Sequence, residues 1–489
     1  MTPSLLLAWL LLPLAAAFVA ILLPSTGRWL RFCIPALSAG LAVWLIVGDL
    51  SLPLDLVESP GVTLSLASEQ IPLIFANALV TLAVAIHTRE EHANHLKTPL
   101  LLLLHGALNS LYLAADLISI YVAIELISII AFLLVVDLKR TSTLWIAFRY
   151  LLFGDLAMLI FLLGTLVIYA DQGDFAISAA ANASGLSINL LTLGLLIKTG
   201  AFLPGFWLPK THAAASADIS ALLSGIVVTA GAAPLARLGQ LNPIAATQLT
   251  ILGLFSIVIG AAAAMVQRDV KRLLAWSTVS QMGYVLMAPA VAGLYAMAHG
   301  LAKAALFLCA GQMHSRDMQV LQTQPERSGM SPVLVLASLS LVGMPLFIGY
   351  GAKAALLKAL PDQLGGLVGW LGIGTAVVLA RLLPDQWQTM RPSSGRSHKL
   401  LAPWLLVSLL VIGPSLLGVS LGLSAATTAK SLLVVGTGIL IERLLRQPLR
   451  SWSPPELERF SDVSVALGVT VVICQLVVNT PLPSLLPMP

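Results

Sequence analysis

Five ionisable side chains occupy stretches of chain that are otherwise apolar: Glu125, Lys198, His299, Lys303 and Lys353. A charge at the centre of a bilayer costs at least about 2.5–3.5 kcal/mol, so such residues persist when they are paired, hydrated or used. Glu125 lies within Ile118–Val136, and Lys198 lies near the end of Leu190–Leu203. A carboxylate and an ammonium in neighbouring spans can form and break an ion pair, and that changes how tightly the lysine holds its proton. The alternative is a static ion pair that orders a helix bundle. His299 and Lys303 are four residues apart, on one face of a helix that is otherwise apolar from Ala296 to Ala310. Histidine exchanges protons near neutral pH, so this pair fits a central proton wire. Alone, His299 would read equally well as a hydrogen-bonded core residue. Lys353 follows a Gly-Pro break at Gly343 and Pro345, where freed carbonyls and water can stabilise an ammonium.

Other polar residues form an accessory set. Asp116 sits at a short turn and suits a helix cap. Arg149 and Asp155 are six residues apart in one apolar stretch, with partners elsewhere or a hydrated lining as their two readings. His212 and Asp218 flank the start of the next stretch, and Asp218 also suits an N-terminal cap. Arg381 and Lys358 are near stretch ends, where long basic side chains snorkel.

The elements that must position these groups follow from composition. Of the 489 residues, 58% are hydrophobic and 10% charged, against about 25% charged in a soluble domain. Lipid is therefore the expected solvent. A span needs about 20 apolar residues, and about 16 stretches qualify. They lie near 4–23, 32–50, 71–88, 98–115, 117–137, 145–170, 186–204, 218–238, 247–266, 273–291, 293–313, 331–357, 363–384, 400–421, 428–445 and 461–480. Basic residues collect in alternate loops, among them Arg89 and Lys97, Lys139 and Arg140, Arg268 to Arg272, and Arg391, Arg396 and Lys399. Asp49, Asp55, Glu58 and Glu69 mark an opposite loop. The positive-inside rule then places both termini on the non-cytoplasmic side.

The expected class is an all-α, polytopic transmembrane bundle of about 14–16 helices. Residues 98–238 and 247–384 each hold five stretches, flanked by 1–97 and 385–489. An odd block repeated in tandem inserts with opposite orientation, giving inverted repeats. Lys198 precedes Pro204 and Pro209, while Lys353 follows Gly343 and Pro345. These breaks fall in the fourth stretch of each block, and paired broken helices point to a transport site.

Several classes are excluded. Cys33, Cys309 and Cys474 form no metal spacing. The chain has no Gly-rich dinucleotide fingerprint and no P-loop, so neither a metal nor a nucleotide, flavin or iron–sulfur cofactor is expected. The formal charge of +5 fits cytoplasmic loops facing a membrane, not nucleic acid. No basic residue precedes the first apolar stretch, so it reads as a membrane helix and not a leader.

Five motifs then carry a family resemblance across roughly 98–360. They are Asp116-Leu-Ile-Ser-Ile-Tyr121 to Glu125-Leu126; Lys198 through Phe206-Trp207-Leu208-Pro209, His212 and Ser220 to Gly225; Gln267 through Lys271-Arg272 to Ser277, Gln281 and Tyr284; His299 to Gly311; and Gly343 to Lys353. The chain resembles the antiporter-like membrane subunits of respiratory complex I, photosynthetic complex-I-like enzymes and multisubunit sodium/proton antiporters of the Mrp type. The resemblance implies about 14 helices around two inverted five-helix repeats. It also implies proton conduction through Glu125, Lys198, Lys303 and Lys353, together with other membrane subunits as partners and H+, with or without Na+, as cargo. The sequence departs from the pattern at Thr229, where the family commonly has Lys or His, at Gly205, where many members have His, and at Asp155. The link at Thr229 would then run through water or be weakened. Trp276 to Gln281 is also similar to a branch that powers inorganic-carbon uptake with a zinc partner. A stand-alone solute transporter and a scaffold with a degenerate channel are the competing readings.

Overall fold

The computed structural model describes residues 3–48, 52–55, 62–90, 96–137, 139–323, 330–383, 397–419, 421, 423–451 and 460–480. Asp49, Glu58, Arg391 and Arg396 lie outside the described residues. Two helices, α1 (Pro3–Leu22) and α2 (Pro24–Gly48), lead to a small antiparallel hairpin of β1 (Leu52–Asp55) and β2 (Thr63–Leu66). There follow α3 (Ile71–His87), α4 (Lys97–Leu113), α5 (Leu117–Val135), α6 (Thr141–Gln172), α7 (Gly185–Thr199), α8 (Leu208–Ala214), α9 (Ala217–Leu222) and α10 (Thr229–Leu241). The second block holds α11 (Pro243–Met265), α12 (Val270–Met287), α13 (Ala292–Ala310), α14 (Met318–Thr323), α15 (Ser331–Val342), α16 (Ile348–Ala359) and α17 (Asp362–Ala380). The chain ends with α18 (Ser397–Leu416), α19 (Ala425–Ser451) and α20 (Phe460–Asn479).

Each of the 16 apolar stretches contains helix, and among the described residues 12 helices are long and apolar enough to cross a membrane. The stretches that fall short are α4, α12, the α15–α16 pair and α19. α4 is 17 residues long, and α15 and α16, of 12 residues each, are separated by a break; α12 carries the buried Ser277 and Gln281, and α19 carries the Glu442–Arg446 ion pair. The span Ala217–Leu241 is 94% buried and Pro289–Ala310 is 89% buried, whereas Asp462–Asn479 is 28% buried. α10 and α13 therefore form the middle of the bundle, and α20 lies at its edge.

Both expected breaks exist and are built alike. α7 ends at Gly200 with φ 66°, followed by Phe202 with φ 54°; α15 ends at Gly343 with φ 89°, followed by Leu346 with φ 79°. A left-handed glycine closes the helix, and a bulky residue at positive φ marks stored backbone strain. Between α9 and α10 the helix widens into one π turn at Leu223–Val227, a deformation often found at functional sites.

Asp116 caps α5 as its position suggested, accepting from the Ser119 N–H at 2.6 Å and the Thr63 N–H at 3.1 Å. Asp218 does not cap. The N-cap of α9 is Ser216, and the Asp218 carboxylate pairs with Lys97 at 2.7 Å across the bundle. An ammonium on α4 outcompetes the local N–H groups. Arg381 does not snorkel either. It donates to the carbonyls of Ala264 at 3.3 Å and Met265 at 2.5 Å, closing the C-terminal end of α11, where cations are favoured.

Candidate functional site

The first cluster is assembled from α5, α6 and α7. Lys198 sits in the last turn of α7, and its ammonium donates to the Ser128 hydroxyl of α5. Ser128 donates onward to the Ile124 carbonyl at 2.6 Å. The Tyr150 ring of α6 faces the ammonium at 5.9 Å. Gly154 makes the seat, since a Cβ there would fall on the lysine Nζ. Glu125 lies one turn before Ser128, in the electrostatic field of both Lys198 and Asp155. Among the described residues no ion pair joins Glu125 to Lys198; the lysine's direct partner is Ser128. Glu125, Arg149 and Asp155 are half-buried on the outer side of α5 and α6.

The central cluster is assembled from α8, α12 and α13 with the π turn. Lys303 is fully buried, and its ammonium donates to the Leu274 carbonyl at 2.8 Å and to the Ser277 hydroxyl. The Leu274 carbonyl also accepts from Ser277 at 2.9 Å and Thr278 at 3.0 Å. Thr278 is bonded to Ser224 of the π turn at 2.7 Å. Hydroxyls thus lead from the first block to the central lysine. His299 and His212 are both buried, and the Ser224 backbone faces the His299 ring. His212 stacks on Phe307 at 4.8 Å.

Thr229 lies two residues beyond Val227, at the start of α10. It donates to the Ile226 carbonyl at 2.5 Å, which makes Tyr112 the donor in the 2.7 Å contact between their hydroxyls. Beside this pair is a cavity of about 30 Å³ that also touches Arg237, Gln240 and Glu69. Such a volume suits roughly one water molecule. At the outer end Gln240 donates to the Glu69 carboxylate at 3.0 Å. The joint is therefore built of two hydroxyls beside a small cavity with a mixed lining.

Between Lys303 and Lys353, polar side chains line one face of α12. Ser277, Gln281 and Tyr284 are spaced i, i+4, i+7 and form a single stripe. Gln281 donates to Thr375 of α17 at 3.2 Å and accepts from the Tyr295 hydroxyl at 2.9 Å. Tyr284 stacks on Tyr295 at 5.7 Å, and its ring lies 5.4 Å from the Lys353 ammonium. Lys353 donates to the Val342 carbonyl at 3.1 Å, the last residue of α15. The break thus supplies the carbonyl that its position suggested.

Of the residues singled out in the sequence, Glu125 and Lys198 share one cluster with Asp155. His212, His299 and Lys303 share the central one. Lys353 joins them through α12, while Asp116 and Asp218 stand apart as structural groups. Ser128 and Tyr150 were missed as site residues. Ser224, Ser277, Thr278, Gln281 and Tyr284 were not singled out, although each falls within a quoted motif and Ser277, Gln281 and Tyr284 form an i, i+4, i+7 stripe.

A family described as "NADH:quinone oxidoreductase/Mrp antiporter, TM" matches residues 114–379. The chain is 31% identical over 396 residues to NAD(P)H-quinone oxidoreductase chain 4 1 of Synechococcus sp. (strain JA-3-3Ab), covering 71% of this chain and 75% of that one. It is 33% identical over 392 residues to NAD(P)H-quinone oxidoreductase chain 4 2 of Microcystis aeruginosa, covering 70% of each. Among solved structures, a chain of the Mrp complex from Dietzia sp. superposes with a TM-score of 0.75 at 22% identity, over 98% of this chain and 61% of that chain. A chain of respiratory complex I from Thermus thermophilus gives 0.67 at 21% identity, over 86% of this chain and 99% of that chain.

Proposed function

The chain belongs to the NADH:quinone oxidoreductase/Mrp antiporter transmembrane family, and on that premise we propose that it moves protons across the membrane by way of Glu125, Lys198, His299, Lys303 and Lys353. It is a multi-pass integral membrane protein and an antiporter-like subunit. The observation that carries the proposal is Lys303. It is fully buried, and among the described residues it has no carboxylate partner. A lysine kept only to order a bundle would be paired, because an unpaired buried charge costs several kcal/mol. Lys303 is held instead by the Leu274 carbonyl, which only accepts, and by the Ser277 hydroxyl, which can both accept a proton and donate one.

In the proposed sequence, Lys198 exchanges protons in the field of Glu125 and Asp155. The Ser224–Thr278 hydroxyls connect the first block with Lys303, and the α12 stripe connects Lys303 with Lys353. Residues 98–238 and 247–384 act as two inverted five-helix blocks, each with one broken helix, and both termini face the non-cytoplasmic side. The like construction of the breaks at Gly200 and Gly343 supports this. Moving one charge against 100 mV takes about 2.3 kcal/mol. We assign that energy to partner subunits or a counter-ion gradient, since the named relatives are chains of a quinone oxidoreductase.

The test is proton flux in vesicles that hold the assembled complex. Lys198→Ala, Lys303→Ala and Lys353→Ala should each abolish it. Undiminished flux in all three would leave the chain a scaffold.

A further inference from the structure

Lys353 is not enclosed. It lines a cavity of about 380 Å³ between α16, α17 and α19, together with Tyr350, Lys358, Asp362, Thr427 and Lys430. Lys430 belongs to α19, outside the segment that the family description matches. Two glycines of α17 locate the ammonium groups. A Cβ at Gly372 would fall on the Nζ of Lys353, and a Cβ at Gly369 would lie 3.0 Å from the Nζ of Lys430. Positions three apart on a helix share a face and differ by about 4.5 Å in rise, so the two lysines lie side by side about one turn apart. Trp370 lies on the other side of Lys430, 5.7 Å from its ammonium.

The ionisable groups around Lys353 come from each neighbouring helix. α12 presents Tyr284, α19 presents Lys430, and α17 presents Asp362 at its start; Lys358 and Tyr350 belong to α16 itself. α13 holds Lys303 and His299 deeper in the bundle, α15 has no ionisable residue, and α18 has His398 and Lys399 only in its first turn. The cation that shares the cavity with Lys353 at the level of α17 is Lys430, a like charge.

We propose that the cavity between α16, α17 and α19 is the outer proton vestibule, and that Lys430 is a positioning residue whose fixed cation drives the proton off Lys353. This rests on the reading of Lys353 as the last relay lysine. In the step, an N–H bond of the Lys353 ammonium breaks and its electron pair stays on Nζ. A vestibule water takes the proton and carries it out past Lys358 and Asp362. The neutral amine is then reprotonated from the Lys303 side. Two cations a helical turn apart disfavour each other's charged form, and Trp370 holds the Lys430 cation in place. The glycines of α17 leave room for both lysine side chains and the water.

The experiment uses vesicles with the complete complex and measures flux against pH on the vestibule side. With Lys430→Gln, Lys353 keeps its proton to higher pH, so the half-maximal point moves up by about one unit. Lys430→Arg should restore the original profile. As a readout independent of flux, Ala354→Cys in a chain whose own three cysteines are replaced by serine should react with a membrane-impermeant maleimide from that side only. An unshifted profile for Lys430→Gln, or an Ala354→Cys that stays unlabelled, overturns the inference. Wild-type flux in Lys353→Ala would instead sink the relay reading itself, so the two failures are distinguishable.

Discussion

Replacing Lys303 by methionine separates a relay lysine from a structural one. Methionine fills nearly the same volume, and swaps of that kind are tolerated best in packed interiors. The substitution removes two charge-assisted hydrogen bonds, to the Leu274 carbonyl and the Ser277 hydroxyl, worth about 1.5–3 kcal/mol each. It also removes a buried cation whose desolvation costs several kcal/mol. The partners left behind are not orphaned, because Ser277 and Thr278 both still donate to the Leu274 carbonyl, at 2.9 and 3.0 Å. The two effects nearly cancel, and stability should change by no more than about 2 kcal/mol. Flux should fall by about 10²-fold or more, the range that a positioned proton-transfer group supplies. The assay pairs dye-reported proton uptake in vesicles with the thermal midpoint of the purified complex. A variant that conducts normally, or one that fails to assemble while conduction per assembled complex is intact, refutes the reasoning.

Further expectations follow from the same contacts. Gly154→Ala places a methyl on the Lys198 ammonium; because the displaced atom ends a flexible chain, stability should hold or rise by up to about 1 kcal/mol while flux drops, measured by the same pair of assays. Thr278→Val removes the hydroxyl bonded to Ser224 at 2.7 Å, and should cost about 1 kcal/mol in stability but about tenfold or more in flux; unchanged flux would remove this bridge from the path. Asp218→Asn breaks the 2.7 Å pair with Lys97, whose side chain is 22% exposed; the loss should be about 1–3 kcal/mol, below the full figure for a buried pair, and would show as a lower thermal midpoint with conduction per assembled complex preserved.

Much of the architecture was legible in the sequence because lipid imposes a simple length and polarity rule on each span. The breaks were legible as well, since Pro204, Pro209, Gly343 and Pro345 punctuate otherwise continuous runs. The buried charges stood out because their cost makes them rare. Their partners did not. Ser128 is 70 positions from Lys198, and a serine in a helix carries no energetic signature until another helix is packed against it. The same holds for the Ser224–Thr278 contact. Lys430 was overlooked because its helix is amphipathic and its charge is one of several there. Asp218 and Arg381 were misassigned for a related reason. Their local context offered a cap or an escape to the headgroups, and packing supplied a better partner from a distant helix.

The two end lysines of the path have opposite company: Lys198 lies in the field of Glu125 and Asp155, while Lys353 lies beside Lys430. A positive charge entering at the first site is drawn in by anions, and one reaching the last is pushed out by a cation. On the proposed path the two ends would therefore favour a proton unequally, with the anionic end a well and the cationic end a barrier. Such a profile sets where a proton rests, and the sense of travel would still come from the partners or gradient that drive it.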